Sequence, residues 1–207
     1  MTCLKVASFS VRNSTQEKLI LASSSPRRRD LLAKAGIVPD SIIPADIDEQ
    51  ALDKEAPKNT AQRLAVQKAL KVWEDSPKDS FVLAADTLVE VRGNELPKAE
   101  TLDQAIHCLK ELSGRRHHVY GGMAVVDPSG KITKRLVTTS VHFKELDDAE
   151  IQTYLDSGEW EGKAGGYAVQ GLAECYIKKI SGSYSNIVGL SLYDTLDMLR
   201  RAGYLKS

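Results

Sequence analysis

The sequence predicts an α/β protein built on a mixed sheet. Apolar runs of strand length alternate with helix-period segments through the first half of the chain. Pairs of strand-like runs, separated by turn residues, cluster in the second half. The composition is that of a folded domain, with 42% hydrophobic and 27% charged residues. A length of 207 residues suits one domain, or one domain with two lobes.

The chain opens on "MTCLKVASFSVRNSTQEK", which is serine-rich, weakly basic and without a sustained apolar segment. No signal peptide is expected there. Residues 1–17 read as a flexible extension ahead of a single domain over 18–207. Lys18 to Ser23 reads as a short buried strand. Ser25 stands where a helix cap belongs, and Pro26 follows at the first helical position, where its missing N–H is harmless. Leu31, Leu32 and Ala35 give this helix an apolar side, and Gly36 stops it. "SIIPADIDEQ" reads as a second extended piece ending in acidic residues.

A longer helix is expected from Thr60, since Ala61, Leu64, Ala65, Lys68, Ala69 and Val72 recur at helical spacing. Phe81 to Val91 reads as one strand, or as two halves around Asp86, followed by the turn "RGNE". Thr101 opens another helix, with Gln104 completing a capping box. Its buried side is Ala105, Ile106, Leu109 and Leu112. "HHVYGGMAVVD" and "KITKRLVTTSVHF" flank "DPSG" as an antiparallel pair, in which Val137, Thr139, Val141 and Phe143 alternate. Asp147 and Glu150 mark a helix start, with Ile151, Tyr154 and Leu155 inside. A further strand pair is expected at "YAVQG" and "ECYIKKI", then a last helix from about Ser191 that buries Leu192, Thr195, Leu196 and Leu199.

Charge and cysteine usage narrow the function. The 28 basic and 28 acidic residues cancel, which argues against a general nucleic-acid or membrane binder but leaves room for a local basic pocket. Cys3, Cys108 and Cys175 are far apart and form no CxxC, so neither a disulfide framework nor a zinc site is expected, and a reducing cytosol is the default. No apolar stretch approaches the length of a membrane span.

Candidate chemistry begins at "LILASSSPRRRDLL". Cations are disfavoured where a helix begins, by roughly 0.3–1 kcal/mol each at the surface. Three arginines there either face water or meet something anionic. A serine-rich turn entering a helix offers free N–H groups and hydroxyls to an anion. Arg27 and Arg28 add forked, permanent charges suited to phosphate. Asp86 follows the apolar run Val82 to Ala85. A carboxylate at that depth must be paired, hydrogen-bonded, metal-bound or protonated. It reads either as a magnesium ligand or general base, or as a strand-end turn residue. Asp48 and Glu49, taken alone, read as a solvated acidic loop.

Lys68 interrupts an apolar stripe, Lys98 follows a turn, and Lys163 sits among glycines. Each alone reads as a surface lysine, whereas all three with Arg27 and Arg28 would suit a polyphosphate. His107, His117, His118 and His142 have no ligand spacing and read as ordinary histidines. GxSxG, GxxxxGK[ST] and GxGxxG are all absent from the sequence.

Seven ordered segments carry a resemblance: "LILASSSPRRRDLL", "DIDE", "RLAVQKA", "VLAADTLV", "LSGRRHHVYGG", "KAGGYAVQG" and "GSYSNIVGLSL". They run from Leu19 to Leu192 within a match that covers nearly everything from Lys18 to Leu205, and the chain resembles the Maf family of nucleoside triphosphate pyrophosphatases. The resemblance implies a mixed twisted sheet with flanking helices, in two lobes around a deep cleft. It implies a cytoplasmic enzyme, dimeric in many members, that cleaves a nucleoside triphosphate to the monophosphate and pyrophosphate. A divalent cation is required, magnesium or else manganese.

Carried over by motif, the catalytic base falls on Asp86, and the phosphate-binding segment on Ser23, Ser25, Arg27 and Arg28. The acidic pair falls on Asp48 and Glu49, with Glu49 and Asp86 as metal ligands, and the cleft lysines on Lys68, Lys98 and Lys163. Arg27, Thr87 and Gln170 resemble the branch acting on dTTP and UTP. The branch acting on 7-methyl-GTP differs at these places. An interaction protein restraining septum formation is the alternative from another class. Two departures stand out. Pro97, Lys98 and Ala99 replace the family's GKP, and Arg116 replaces the threonine before its histidine, adding charge near the expected cleft.

Overall fold

The computed structural model describes residues 17–205. Residues 1–16, and with them nearly all of the expected N-terminal extension, lie outside the described residues. β1 (Lys18–Leu21) is the short strand expected, with three of its four residues buried. α1 (Pro26–Lys34) starts on Pro26 with Ser25 at the cap position, although the Ser25 side chain makes no capping bond. β2 spans only Ser41–Ile42, so most of "SIIPADIDEQ" is loop. Pro44 cannot donate to a ladder and stops the pairing.

α2 (Pro57–Glu74) begins one turn earlier than Thr60, because Pro57 already occupies a first-turn position. Asp86 lies in the interior of β3 (Ser80–Val91), which runs unbroken past it. β4 (Asn94–Leu96) and the two-residue β5 (Lys98–Ala99) follow. α3 (Leu102–Leu112) carries the full Thr101–Gln104 capping box. β6 (Arg116–Val126) and β7 (Ile132–Phe143) form the expected antiparallel pair. α4 (Asp148–Asp156) is capped by Asp147 and Glu150.

The strand pair expected at "YAVQG" and "ECYIKKI" is half absent. β8 is confined to Lys163–Ala164. Gly165 and Gly166, each at φ 66, turn the chain away from extended geometry before Tyr167. Leu172–Tyr176 is a 3-10 turn, and only β9 (Ile177–Ser181) is a strand. α5 (Tyr184–Val188) and α6 (Leu192–Ala202) complete the fold.

The main sheet has seven strands in the order β2-β1-β3-β6-β7-β9, with β4 on the far half of β3. β1 pairs in parallel with β2 and β3, and the remaining pairs are antiparallel. A separate two-stranded sheet joins β5 to β8. Alternation along the strands fills two cores. Leu19, Leu21, Phe81, Leu83, Met123 and Val125 pack toward α1 and α6, while Ile20, Ala22, Val82, Ala84, Ala124 and Val126 pack toward α2.

A third core joins the far halves of β3, β6 and β7 to α3 and α4 through Val89, Val119, Phe143, Leu109 and Tyr154. The same long strands therefore run through both lobes. Where the lobes meet, Gly122 lets α2 lie directly on the sheet. A Cβ there would stand 2.0 Å from the Ala61 carbonyl oxygen. Gly122 is the register partner of Asp86.

Candidate active site

A cavity of about 320 Å³ opens where the lobes meet. All but one of the residues that the sequence marked for the site line it: Ser23, Ser25, Arg27 and Arg28, then Glu49, Lys68, Asp86 and Thr87, then Lys98, Lys163 and Gln170. Asp48 is not among the lining. Its carboxylate accepts the Gln50 N–H at 2.9 Å and shapes the acidic loop instead. Arg116 is exposed at the start of β6 and does not line the cavity, so the charge expected near the cleft points elsewhere.

Among the charged residues of the lining Asp86 is buried most, at 4% exposed. The interruption in the α2 stripe explains how it is tolerated. Lys68 faces the sheet and places Nζ 2.6 Å from Asp86 Oδ1. A buried carboxylate is stable only with such a partner. The same ammonium lies 2.7 Å from Glu49 Oε1. The other Glu49 oxygen accepts from Lys98 Nζ at 3.2 Å. Burial alone would raise the Glu49 carboxyl, but hydrogen bonds and charge from Lys68 and Lys98 outweigh it and hold the group below its ordinary value. Glu49 thus bridges α2 in one lobe to β5 in the other.

Neighbouring arginines of α1 play opposite parts. Arg28 donates from Nε to the Gly189 carbonyl (2.9 Å), from Nη1 to Ser23 Oγ (3.0 Å) and from Nη2 to Thr87 Oγ1 (3.2 Å). Burial lowers its pKa, and Asp86 offsets part of the effect. Arg27 has no hydrogen-bond or ion-pair partner among the described residues, and its partial burial lowers its pKa. Lys163 is likewise lowered, by burial and then by Arg27. These two cations line the same cavity, and neither forms an ion pair among the described residues. Lys98 and Lys163 stand on paired strands, with Lys98 opposite Ala164 and Lys163 opposite Ala99. The alanine that replaces the family's usual proline therefore keeps the lysine-bearing pair intact.

Sequence reasoning missed several supports. Tyr167 lines the cavity, and its hydroxyl lies 2.8 Å from Nε2 of the buried His117. Burial holds the His117 pKa at about 3, so the imidazole is neutral. Asn186, 1% exposed, donates from Nδ2 to the Val119 carbonyl and to Thr139 Oγ1, both at 3.1 Å. This fixes the turn whose Gly189 carbonyl receives Arg28. Both residues lie inside the quoted segments "KAGGYAVQG" and "GSYSNIVGLSL", but nothing in their types or spacing distinguishes a support from a surface residue.

Cations from α1, α2 and the β5–β8 pair, with a buried carboxylate–ammonium couple among them, define an α/β protein whose cavity suits a small polyanion beside a buried acid. The chain belongs to the Maf family: the family model described as "Maf-like protein" matches residues 18–202. A dTTP/UTP pyrophosphatase of Mesorhizobium japonicum is 55% identical over 92% of this chain and 94% of its own length. One from Caulobacter vibrioides is 54% identical over 90% and 96%, and one from Chelativorans sp. is 50% identical over 92% and 94%. A solved dITP/XTP pyrophosphatase from Mycobacterium abscessus aligns at TM-score 0.40 and 16% identity, over 61% of this chain and 72% of that one, too slight a likeness to carry an argument.

Proposed function

We propose that this chain is a pyrophosphatase that hydrolyses dTTP and UTP to the monophosphate and pyrophosphate, keeping the nucleotide pool clean. One observation carries the reading. The buried Asp86 opens onto the same cavity as Arg27, Lys98 and Lys163. The names of relatives at 50–55% identity support the same substrates. Residues 18–207 act as one catalytic domain. No helix among the described residues is long and apolar enough to cross a membrane. The reading places the enzyme in the cytoplasm with its substrates, and carries a homodimer over from the family.

Arg27, Lys98 and Lys163 hold the triphosphate oxygens beside the start of α1, the positive end of that helix's dipole. Ser23 and Thr87 are held in place by Arg28. Thr87 and Gln170 are neutral hydrogen-bonding groups suited to a pyrimidine edge. Asp86 orients a water against the α-phosphorus and takes its proton. The new P–O bond forms as the bridge to the β-phosphate breaks, and the surrounding cations stabilise the departing pyrophosphate.

Asp86 and Glu49 already converge on one cationic atom, Lys68 Nζ. Two hard carboxylates plus substrate oxygens suit magnesium, or manganese, which is held by few protein ligands and keeps its waters. When bound there, the metal would neutralise phosphate charge and lower the pKa of a coordinated water.

Purified protein with magnesium and a panel of dTTP, UTP, CTP, ATP, GTP and 7-methyl-GTP tests the reading. Pyrophosphate release is expected first from dTTP and UTP. Asp86→Asn should keep the fold and lose nearly all turnover. Release from 7-methyl-GTP alone would move the substrate. Release from none would remove the enzymatic reading and leave the septum-restraining alternative.

A further inference from the structure

Residues 43–56, which carry Glu49, form neither helix nor strand. Something must hold a segment without a backbone ladder if it is to place a carboxylate within 2.7 Å of Lys68. The Ile43 N–H on the Leu21 carbonyl ties only its beginning. The middle is held by Arg63, which stands on α2 a little over one turn before Lys68. Arg63 Nε reaches Glu55 Oε1 at 2.9 Å, and Nη2 reaches Glu55 Oε2 at 2.6 Å. Nη2 also donates at 3.0 Å to the carbonyl of Gln50, the residue directly after Glu49. Nη1 donates to Gln67 Oε1 at 2.9 Å, back on the same helix.

The two ends of the pair are only 19% and 12% exposed at their side chains, so this fork is more than a loose surface contact. Glu55 in turn accepts the Leu52 N–H at 3.2 Å, closing the loop on itself. A planar guanidinium can make these bonds together, and a lysine ammonium cannot.

We infer that Arg63 and Glu55 are positioning residues for the reaction: they clamp the 43–56 segment onto α2 so that Glu49 meets Lys68 and Lys98. Neither side chain lines the cavity. Arg63 acts on chemistry only through the placement of Glu49. The inference rests on the pyrophosphatase reading.

The test is a double-mutant cycle on the full chain, with dTTP, magnesium and enough enzyme to follow slow turnover. Arg63→Ala should lower kcat by about 10- to 100-fold, as misplacing a group by about 1 Å does. KM should shift far less, because Arg27 and Lys163 are untouched. Arg63→Lys should recover little, since the fork is lost. In the Glu49→Gln background, Arg63→Ala should add almost nothing, because the group it positions is already disabled. Backbone hydrogen exchange over residues 46–56 should quicken in Arg63→Ala and in Glu55→Gln, while the sheet stays protected.

A wild-type kcat in Arg63→Ala, losses that multiply in the double variant, or unchanged exchange would each overturn the clamp. Should Arg63→Ala fail to fold, the same cycle run with Glu55→Gln decides it. Inactivity of the wild-type chain on every triphosphate is a different result: it removes the pyrophosphatase reading, and with it the reaction the clamp would serve.

Discussion

Replacing Gly122 by alanine attacks the contact that lets Lys68 reach Asp86. A Cβ at that position would lie 2.0 Å from Ala61 O, 2.3 Å from Ala61 C and 2.7 Å from Gln62 N, all backbone atoms of α2. Ordinary contact begins at 3.4 Å, so α2 and β6 must separate by about 1.4 Å. No flexible side chain is available to absorb the shift. Overpacking of this kind costs about 1–3 kcal/mol, and a backbone-on-backbone clash belongs at the upper end. For a chain of this size, about 3 kcal/mol lowers Tm by about 6–12 °C. Lys68 is two turns along α2 from the clash, and its 2.6 Å bond to Asp86 would lengthen with the helix. Turnover should fall by about 100-fold for a displacement of about 1 Å. Calorimetry and a pyrophosphate-release assay on the purified variant measure both. A Tm within 2 °C of wild type, together with undiminished kcat, would show that α2 does not rest on Gly122 as described.

The two adjacent arginines should separate cleanly. Arg27→Ala should leave stability within about 0.5 kcal/mol and raise KM for the triphosphate, whereas Arg28→Ala, which strands Ser23, Thr87 and the Gly189 carbonyl, should destabilise by about 1–3 kcal/mol. Thermal melts showing the reverse order would refute the assignment. Lys68→Met leaves Asp86 buried without its ammonium and should cost about 3–5 kcal/mol in urea unfolding. Adding Asp86→Asn should restore part of that loss, and a double variant no more stable than Lys68→Met would count against the pairing. His117 gives a pH signature. Its folded-state pKa of about 3 lies below the ordinary imidazole value of 6.5, so between these values the unfolded chain binds the extra proton. Stability therefore falls as pH drops below 6.5, by about 1.4 kcal/mol per pH unit from this group. His117→Gln should flatten that acid limb, and an unchanged slope would rule out a buried neutral imidazole.

The sequence made the floor of the cavity readable because two residues broke a pattern. Asp86 after an apolar strand run demanded a partner, and Lys68, which breaks an apolar helical stripe and alone read as a surface lysine, is that partner. The caps at Thr101 and Asp147 were equally plain, since their bonds close within four residues. What stayed hidden depends on distance along the chain. Nothing near Arg28 announces a carbonyl 161 positions away, and nothing near His117 announces Tyr167. The "YAVQG" segment misled because its apolar alternation is real, but the left-handed Gly165 and Gly166 spend it on a turn. Glu49 read as solvated because its two lysines come from α2 and β5, which meet only after the lobes close on each other.

The carboxylate bridging Lys68 and Lys98 has a consequence for a crowded cell. With Asp86 also on Lys68, inorganic phosphate, acetate and other small anions would find those two ammonium groups already paired, and would gain little by swapping one negative oxygen for another. A longer anion can also reach Arg27 and Lys163, which form no ion pair among the described residues. Reach, more than charge alone, then decides which visitor can compete with the protein's own glutamate.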